Sequence, residues 1–182
     1  RGVRVIPEID MPAHSNKGWV HVDPKTVTCA DSWWSNDVWA EHTAVQPNPG
    51  HLDILYPGTY TILKDMVKAI GPLFSDNIFH VGFDELIPEC YNFSNLTQKW
   101  FSDNRTRTHS DLVQQWVDKL LPIFLGDAAN PSDNPNRRLM MWEDSVLAAR
   151  MAAHRIPKNV IMQSWNNGVD NIKLLAEKGY DI

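Results

Sequence analysis

His80-Val81-Gly82-Phe83-Asp84-Glu85 sets two carboxylates side by side at the end of an apolar run. Read as a strand, it puts His80, Gly82 and Asp84 on one face and Val81 and Phe83 on the other, the second face packing on helices. Gly82 leaves room on the inner face for a ligand or a neighbouring side chain to come close. Strict alternation would send Asp84 and Glu85 to opposite sides, so both can reach one site only where the pleat gives way to loop. Two carboxylates held close cannot both ionise freely. One keeps its proton as an acid while the other stays charged, a division of labour that serves glycoside cleavage. The plainer alternative is a solvated Asp-Glu pair, since charged residues are mostly exposed. An interior His80 and Gly82 on the same strand weigh against it.

Other residues able to do chemistry sit at comparable places. Asp10 and His14 follow an apolar run at Val3–Ile9, Trp142, Glu143 and Asp144 follow or end another at Leu139–Trp142, and Trp165 ends a third at Val160–Trp165. These runs are short and bounded by turn residues, so they read as buried strands, with another at Ile78–Phe83 and the opening of a last one at Tyr180. Helical spacing predicts helices over Thr59–Ile70, through Leu112, Trp116, Leu120, Leu121 and Phe124, through Val146, Ala149 and Ala153, and over Ile172–Lys178. Ser110 is the expected cap of the second, which Pro122 should end early. Met11–Gly58 and Asp84–Thr108 read as long loops, the latter with weak helical patterning over Leu96–Phe101, and 127–136 as a linker. Loops this long are usually functional or disordered, and Trp33, Trp34 and Trp39 argue against disorder and for outer sugar subsites or a loop core.

Strands alternating with helices predict an α/β fold with a parallel sheet. No Gly-rich turn follows any strand, so neither a dinucleotide nor a P-loop signature is present. Polar and aromatic residues gather just after the strand ends, the face where a (β/α)₈ barrel carries its site. A full barrel needs about 250 residues. The 182 residues here, with about five strands, predict part of one, in a single domain fragment over 1–182. Seventeen basic against 22 acidic residues, a net charge of −5, give no basic stripe for nucleic acid. No apolar run reaches the roughly 18 residues of a membrane span. Eight of the aromatics are Trp, a type whose flat face packs on sugar C–H surfaces while its N–H stays free to bond.

Val5-Ile6-Pro7-Glu8-Ile9-Asp10-Met11-Pro12-Ala13-His14-Ser15, followed by His80-Val81-Gly82-Phe83-Asp84-Glu85, resembles the PEIDxPGH(S/T) and HxGGDE signatures of the β-N-acetylhexosaminidases of glycoside hydrolase family 20. The resemblance runs the length of the chain, from the third barrel strand to the opening of the seventh. Ala13 and Phe83 stand where the family usually has Gly, the second expected to alter packing on the outward face. The resemblance implies a retaining mechanism in which the substrate's 2-acetamido oxygen attacks the anomeric carbon, an exception to the two-carboxylate scheme. It implies Glu85 as general acid and then base, Asp84 as the group that orients the acetamido and steadies the oxazolinium, and Trp142 and Trp165 as walls around the acetamido methyl. His14 matches the family's histidine near the acid. Asp10 and His80 fall in the same signatures, as substrate-binding or supporting residues, and Glu143 and Asp144 suit structural hydrogen bonding. The family's upstream arginine, downstream tyrosine and third pocket tryptophan have no counterpart in these residues.

No cofactor is called for, and a homodimer is compatible with the reading. The implied partner is an oligosaccharide or glycoconjugate ending in an N-acetylhexosamine. Two other classes stay open: a catalytically silent N-acetyl-sugar-binding barrel, in which Phe83 misplaces the acid, and a metal hydrolase on His14, His80, Asp10 and Asp84, for which no HExxH or Cys-based motif is present. Some family members join the two long loops by a disulfide, which here would pair Cys29 with Cys90 and contribute roughly 4 kcal/mol; two reduced cysteines are the alternative. Sequons at Asn92, Asn95 and Asn104 cluster in the second loop and, with such a bond, imply a secreted or lumenal eukaryotic protein.

Overall fold

The structure is a computed structural model that describes residues 2–33 and 41–182; Trp34 and Trp39 lie outside them. Chain order runs β1 (Glu8–Met11), α1 (Lys17–Val22), β2 (Val27–Thr28), β3 (His51–Leu52), α2 (Pro57–Ile70), β4 (Ile78–Gly82), α3 (Asn95–Asp103), α4 (His109–Leu125), β5 (Arg138–Trp142), α5 (Asp144–Leu147), β6 (Ile161–Gln163) and α6 (Val169–Glu177). Four strands form one parallel sheet in the order β1-β4-β5-β6, each bonded to the next sheet strand in the chain without reversal. Asp181 makes a parallel bridge to Ile161 beyond β6, where the last strand was expected to open.

All five residues of β4 are buried, as expected for a parallel strand covered on both faces. On its outer side Phe79 meets Phe124 of α4 at 5.0 Å between ring centroids, and Tyr60 of α2 meets Trp116 of α4 at 5.5 Å. Leu63, Leu112, Trp116, Leu120 and Phe124 are fully buried, each contributing roughly 2 kcal/mol by burial. This packing fixes β4, and with it the height at which Asp84 and Glu85 emerge.

Several boundaries differ from the sequence reading. The first strand starts at Glu8, not Val3: Val3 and Val5 are 79% and 61% exposed. The first bond to β4 comes from the His80 N–H to the Pro7 carbonyl, and Arg4 turns away to pair with Asp76. The loop expected over Met11–Gly58 holds α1 and the antiparallel pair β2–β3, whose two-residue strands are too short to show a period. Helix α2 begins at Pro57, where a missing N–H costs nothing. Thr108, not Ser110, caps α4 in a reciprocal capping box with Asp111. Pro122 does not end α4, which runs on to Leu125; the buried stripe on either side outweighs the roughly 3 kcal/mol that an interior proline costs. The helix expected through Val146, Ala149 and Ala153 shrinks to α5, because Ala148 turns extended; Met151 and Ile156 reach the core from the irregular segment that follows.

Candidate active site

Four elements meet at the C-terminal ends of the sheet strands. Strand β4 stops at Gly82, whose φ of +71° is followed by +92° at Phe83 and +50° at Glu85. These left-handed turns cancel the alternation that would send Asp84 and Glu85 apart. His14, also left-handed at φ +52°, brings its Nε2 to 3.4 Å from Asp84 Oδ2 and 3.3 Å from Glu85 Oε2. The three side chains are 17–20% exposed, enough for a ligand to reach. The ring of Phe83 is fully buried and belongs to the apolar core.

Gly82 is required by the neighbouring strand. A Cβ there would lie 2.0 Å from Asp10 Oδ1 and 2.6 Å from the Met11 nitrogen, so any side chain would drive Asp10 out. Asp10 is thereby pressed against the Asp84 carboxylate. Burial first, then the hydrogen bond to Asp84 and its charge, push Asp10 up to about 8. For Asp84, burial pushes upward, but hydrogen bonds from His14 and Asp10 and the His14 charge prevail and hold it below the usual carboxylate value. The His14 imidazole is raised chiefly by its bond to Asp84. Burial raises Glu85, with Asp84 and Asp144 adding repulsion and His14 opposing. One carboxylate is thus kept ionised and the next is biased toward its acid form. Asp10, one strand over, is likewise biased toward its acid form beside Asp84, which the sequence reading did not foresee.

Trp142 and Trp165 stand beside this cluster, ring centroids 6.4 Å apart and edge to face. The Trp142 indole N–H donates to Glu8 Oε1 at 3.1 Å, and the ring lies against His80 at 4.9 Å. His80 is 3% exposed, accepts the Gly82 N–H at Nδ1 and is held neutral by burial, so it braces Trp142 from below. The sequence reading did not assign Glu8 a place in the site; its i, i+2 spacing from Asp10 was the available signal. Glu143 and Asp144 bond to the loop that carries Trp165, and Glu143 also to Asn171 of α6.

A second platform holds the loop after Glu85. The disulfide Cys29–Cys90 is present and spans 61 positions. Beside it Thr28 Oγ1 donates to the Cys90 carbonyl at 2.8 Å, the Ile87 N–H donates to His51 Nε2 at 2.9 Å, and Ser94 Oγ donates to Asp53 Oδ2 at 2.6 Å. His51, which sequence reasoning missed, is pushed down to about 4 by burial and is therefore a neutral acceptor. The pair β2–β3 thus clamps the segment carrying the two carboxylates. Asn92, Asn95 and Asn104 are exposed. At Asn104 the side-chain oxygen accepts from both Thr106 Oγ1 and the Thr106 N–H.

Asp10, His14 and Asp84 offer ligand atoms within 4.8 Å of one another. Of the four groups considered for a metal, His80 lies outside this set. Metal ligands must be deprotonated, and the upward shift of Asp10 works against that. A groove of about 910 Å³ lies among α2, α4 and residues 127–133. None of the candidate residues lines it, and it offers no comparable chemistry.

The family model described as "Glycosyl hydrolase family 20, catalytic domain" matches residues 1–182. A beta-hexosaminidase of Emericella nidulans is 54% identical over 182 residues, all of this chain and 29% of the relative. A beta-hexosaminidase 1 of Coccidioides posadasii is 50% identical over the same length, again 29% of the relative. The chain therefore spans less than a third of the length of these two relatives. Among solved structures, the Flavobacterium johnsoniae chitobiase superposes with a TM-score of 0.68 at 23% identity, over 98% of this chain and 25% of that one, a likeness in fold. With the family model matched from end to end and relatives this similar, the chain belongs to glycosyl hydrolase family 20.

Proposed function

We propose that the protein is an exo-acting, retaining glycoside hydrolase that removes terminal β-linked N-acetylglucosamine or N-acetylgalactosamine with the help of the substrate's own acetamido group. One observation carries the reading: Asp84 and Glu85 meet at His14 with opposite pKa shifts, beside the Trp142–Trp165 pair. The names of the curated relatives support the same reading.

In this mechanism the acetamido oxygen forms a bond to the anomeric carbon as the glycosidic C–O bond breaks. Glu85 gives its proton to the departing oxygen. The ionised Asp84 accepts the acetamido N–H and offsets the positive charge of the oxazolinium. Water then attacks the same carbon, Glu85 takes its proton, and the oxazolinium ring opens to return the acetamide. Two inversions give net retention. Asp10 holds a proton against Asp84, and His14 bridges the two carboxylates. Trp142 and Trp165 enclose the acetamido methyl, which a plain glucoside lacks.

The residues form part of a (β/α)₈ barrel, in one domain continuing beyond them. Strands bonded in chain order without reversal suit a barrel and not a doubly wound sheet. The free edge of β1 and the bridge at Asp181 are where further strands would join. The disulfide and the exposed sequons support a secreted or lumenal protein, and no described helix is long and apolar enough to cross a membrane.

Graded fluorination of the substrate tests the mechanism. Each fluorine on the acetamido methyl weakens the amide oxygen as a nucleophile. With the full-length protein, kcat should fall steeply from the acetyl to the monofluoro-, difluoro- and trifluoroacetyl aryl glycosides. A flat series would remove the acetamido oxygen from the mechanism.

A further inference from the structure

Glu143 is 1% exposed, and no salt bridge reaches it among the described residues. Burying a carboxylate is costly unless hydrogen bonds replace its water. Here the replacements come from the loop after β6 and from the first turn of α6. Ser164 Oγ donates to Glu143 Oε2 at 2.5 Å, while the Asn166 N–H at 2.7 Å and Asn171 Nδ2 at 3.0 Å donate to Oε1. Trp165 lies between the first two donors. Its indole is 48% exposed, and its N–H donates to Asp144 Oδ2 at 2.7 Å. No helix or strand fixes the stretch from Ser164 to Gly168, and Asn167 and Gly168 both have a φ of +48°.

We infer that Glu143 is the positioning residue of Trp165, and that through this indole it sets which N-acyl group the site accepts. Glu143 holds the Ser164 hydroxyl on one side of Trp165 and the Asn166 backbone N–H on the other, and Asp144 holds the tip of the ring. An apolar residue at 143 would avoid the desolvation cost but leave three donors without a partner and the stretch without a fixed path. A wall that shifts by a fraction of an ångström widens a pocket enough to admit one more methylene. Hydrophobic pockets discriminate at that scale through close packing.

The inference rests on the acetamido-assisted reading and is tested with the full-length protein carrying Glu143→Ala or Glu143→Gln. Aryl β-glycosides bearing N-acetyl, N-propionyl or an unmodified 2-hydroxyl are compared below the melting temperature of each variant. The Gln carbonyl can still accept from Asn166 and Asn171, and its amide can donate to Ser164 Oγ. Glu143→Ala should raise KM for the N-acetyl substrate about tenfold and reduce the preference for acetyl over propionyl by a similar factor. Glu143→Gln should stay near wild type. A residue with a merely structural role would lower the melting temperature and leave the preference unchanged. An unchanged acyl preference in Glu143→Ala, or a Gln variant that behaves like Ala, overturns the inference. If Glu143→Ala does not accumulate, Ser164→Ala removes one donor and should show a smaller shift in the same preference; no shift there overturns the inference too. Wild-type cleavage of the 2-hydroxyl substrate at a comparable rate would overturn the underlying reading, whereas refusal of it with an unchanged Ala variant would overturn only the role of Glu143.

Discussion

Glu85→Gln in the full-length protein is expected to lower kcat by about 10³-fold on N-acetylglucosaminides with a basic leaving group. The amide keeps the size of the side chain and its contact to His14, whose Nε2 lies 3.3 Å from Glu85 Oε2, but it has no proton to give. The loss should shrink for aryl leaving groups acidic enough to depart unprotonated. Water attack then limits the rate and retains a smaller deficit, because the same side chain serves there as base. Steady-state kinetics across phenols of graded acidity check this. A uniform loss across the series would mean that Glu85 does not donate the proton, and that the variant had disturbed Trp165 or Asp84 instead.

Asp84→Asn is expected to lower kcat by about 10²-fold while moving KM little, since it removes a negative charge that matters most where the oxazolinium develops. The effect should not depend on leaving-group acidity, which separates it from Glu85→Gln. It has a second readout in stability. Asp10 is raised from 3.8 to about 8 by burial and then by Asp84. Across that window the folded protein binds more protons than the unfolded chain, so stability falls as pH rises. The Asp10 contribution is fully present below the unfolded value and gone once pH passes the folded one. Asp84→Asn removes the second cause but not the first, so the downward slope of melting temperature with pH should become shallower without vanishing. A slope that is unchanged, with kcat intact, would contradict the role given to Asp84.

What was legible in the sequence was legible for local reasons. The β4 segment shows its face pattern, its Gly and its paired acids within six residues, and the helices over Thr59–Ile70 and through Leu112–Phe124 have long apolar stripes. Trp142 and Trp165 stood out by lying at strand ends, whereas Trp116 proved a fully buried core filler. The illegible parts depend on contacts between distant residues. The upward shift of Asp10 follows from burial and from Asp84, at a place that Gly82 on the neighbouring strand leaves open. The role of His51 follows from Ile87, 36 residues on, and β2 and β3 exist only as each other's partners. Thr108 and Ser110 both look like caps from composition; the reciprocal bond with Asp111 decides between them.

In the proposed mechanism the acetamido group supplies the nucleophile. The most direct measurement is hydrolysis of an aryl β-N-acetylglucosaminide against the matching aryl β-glucoside by the full-length protein under identical conditions. Rapid cleavage of the acetamido sugar with no detectable cleavage of the glucoside is the predicted result, because the glucoside brings neither the nucleophile nor the methyl that fills the Trp142–Trp165 pocket. Cleavage of both at similar rates would contradict it and would require the protein to supply the nucleophile itself.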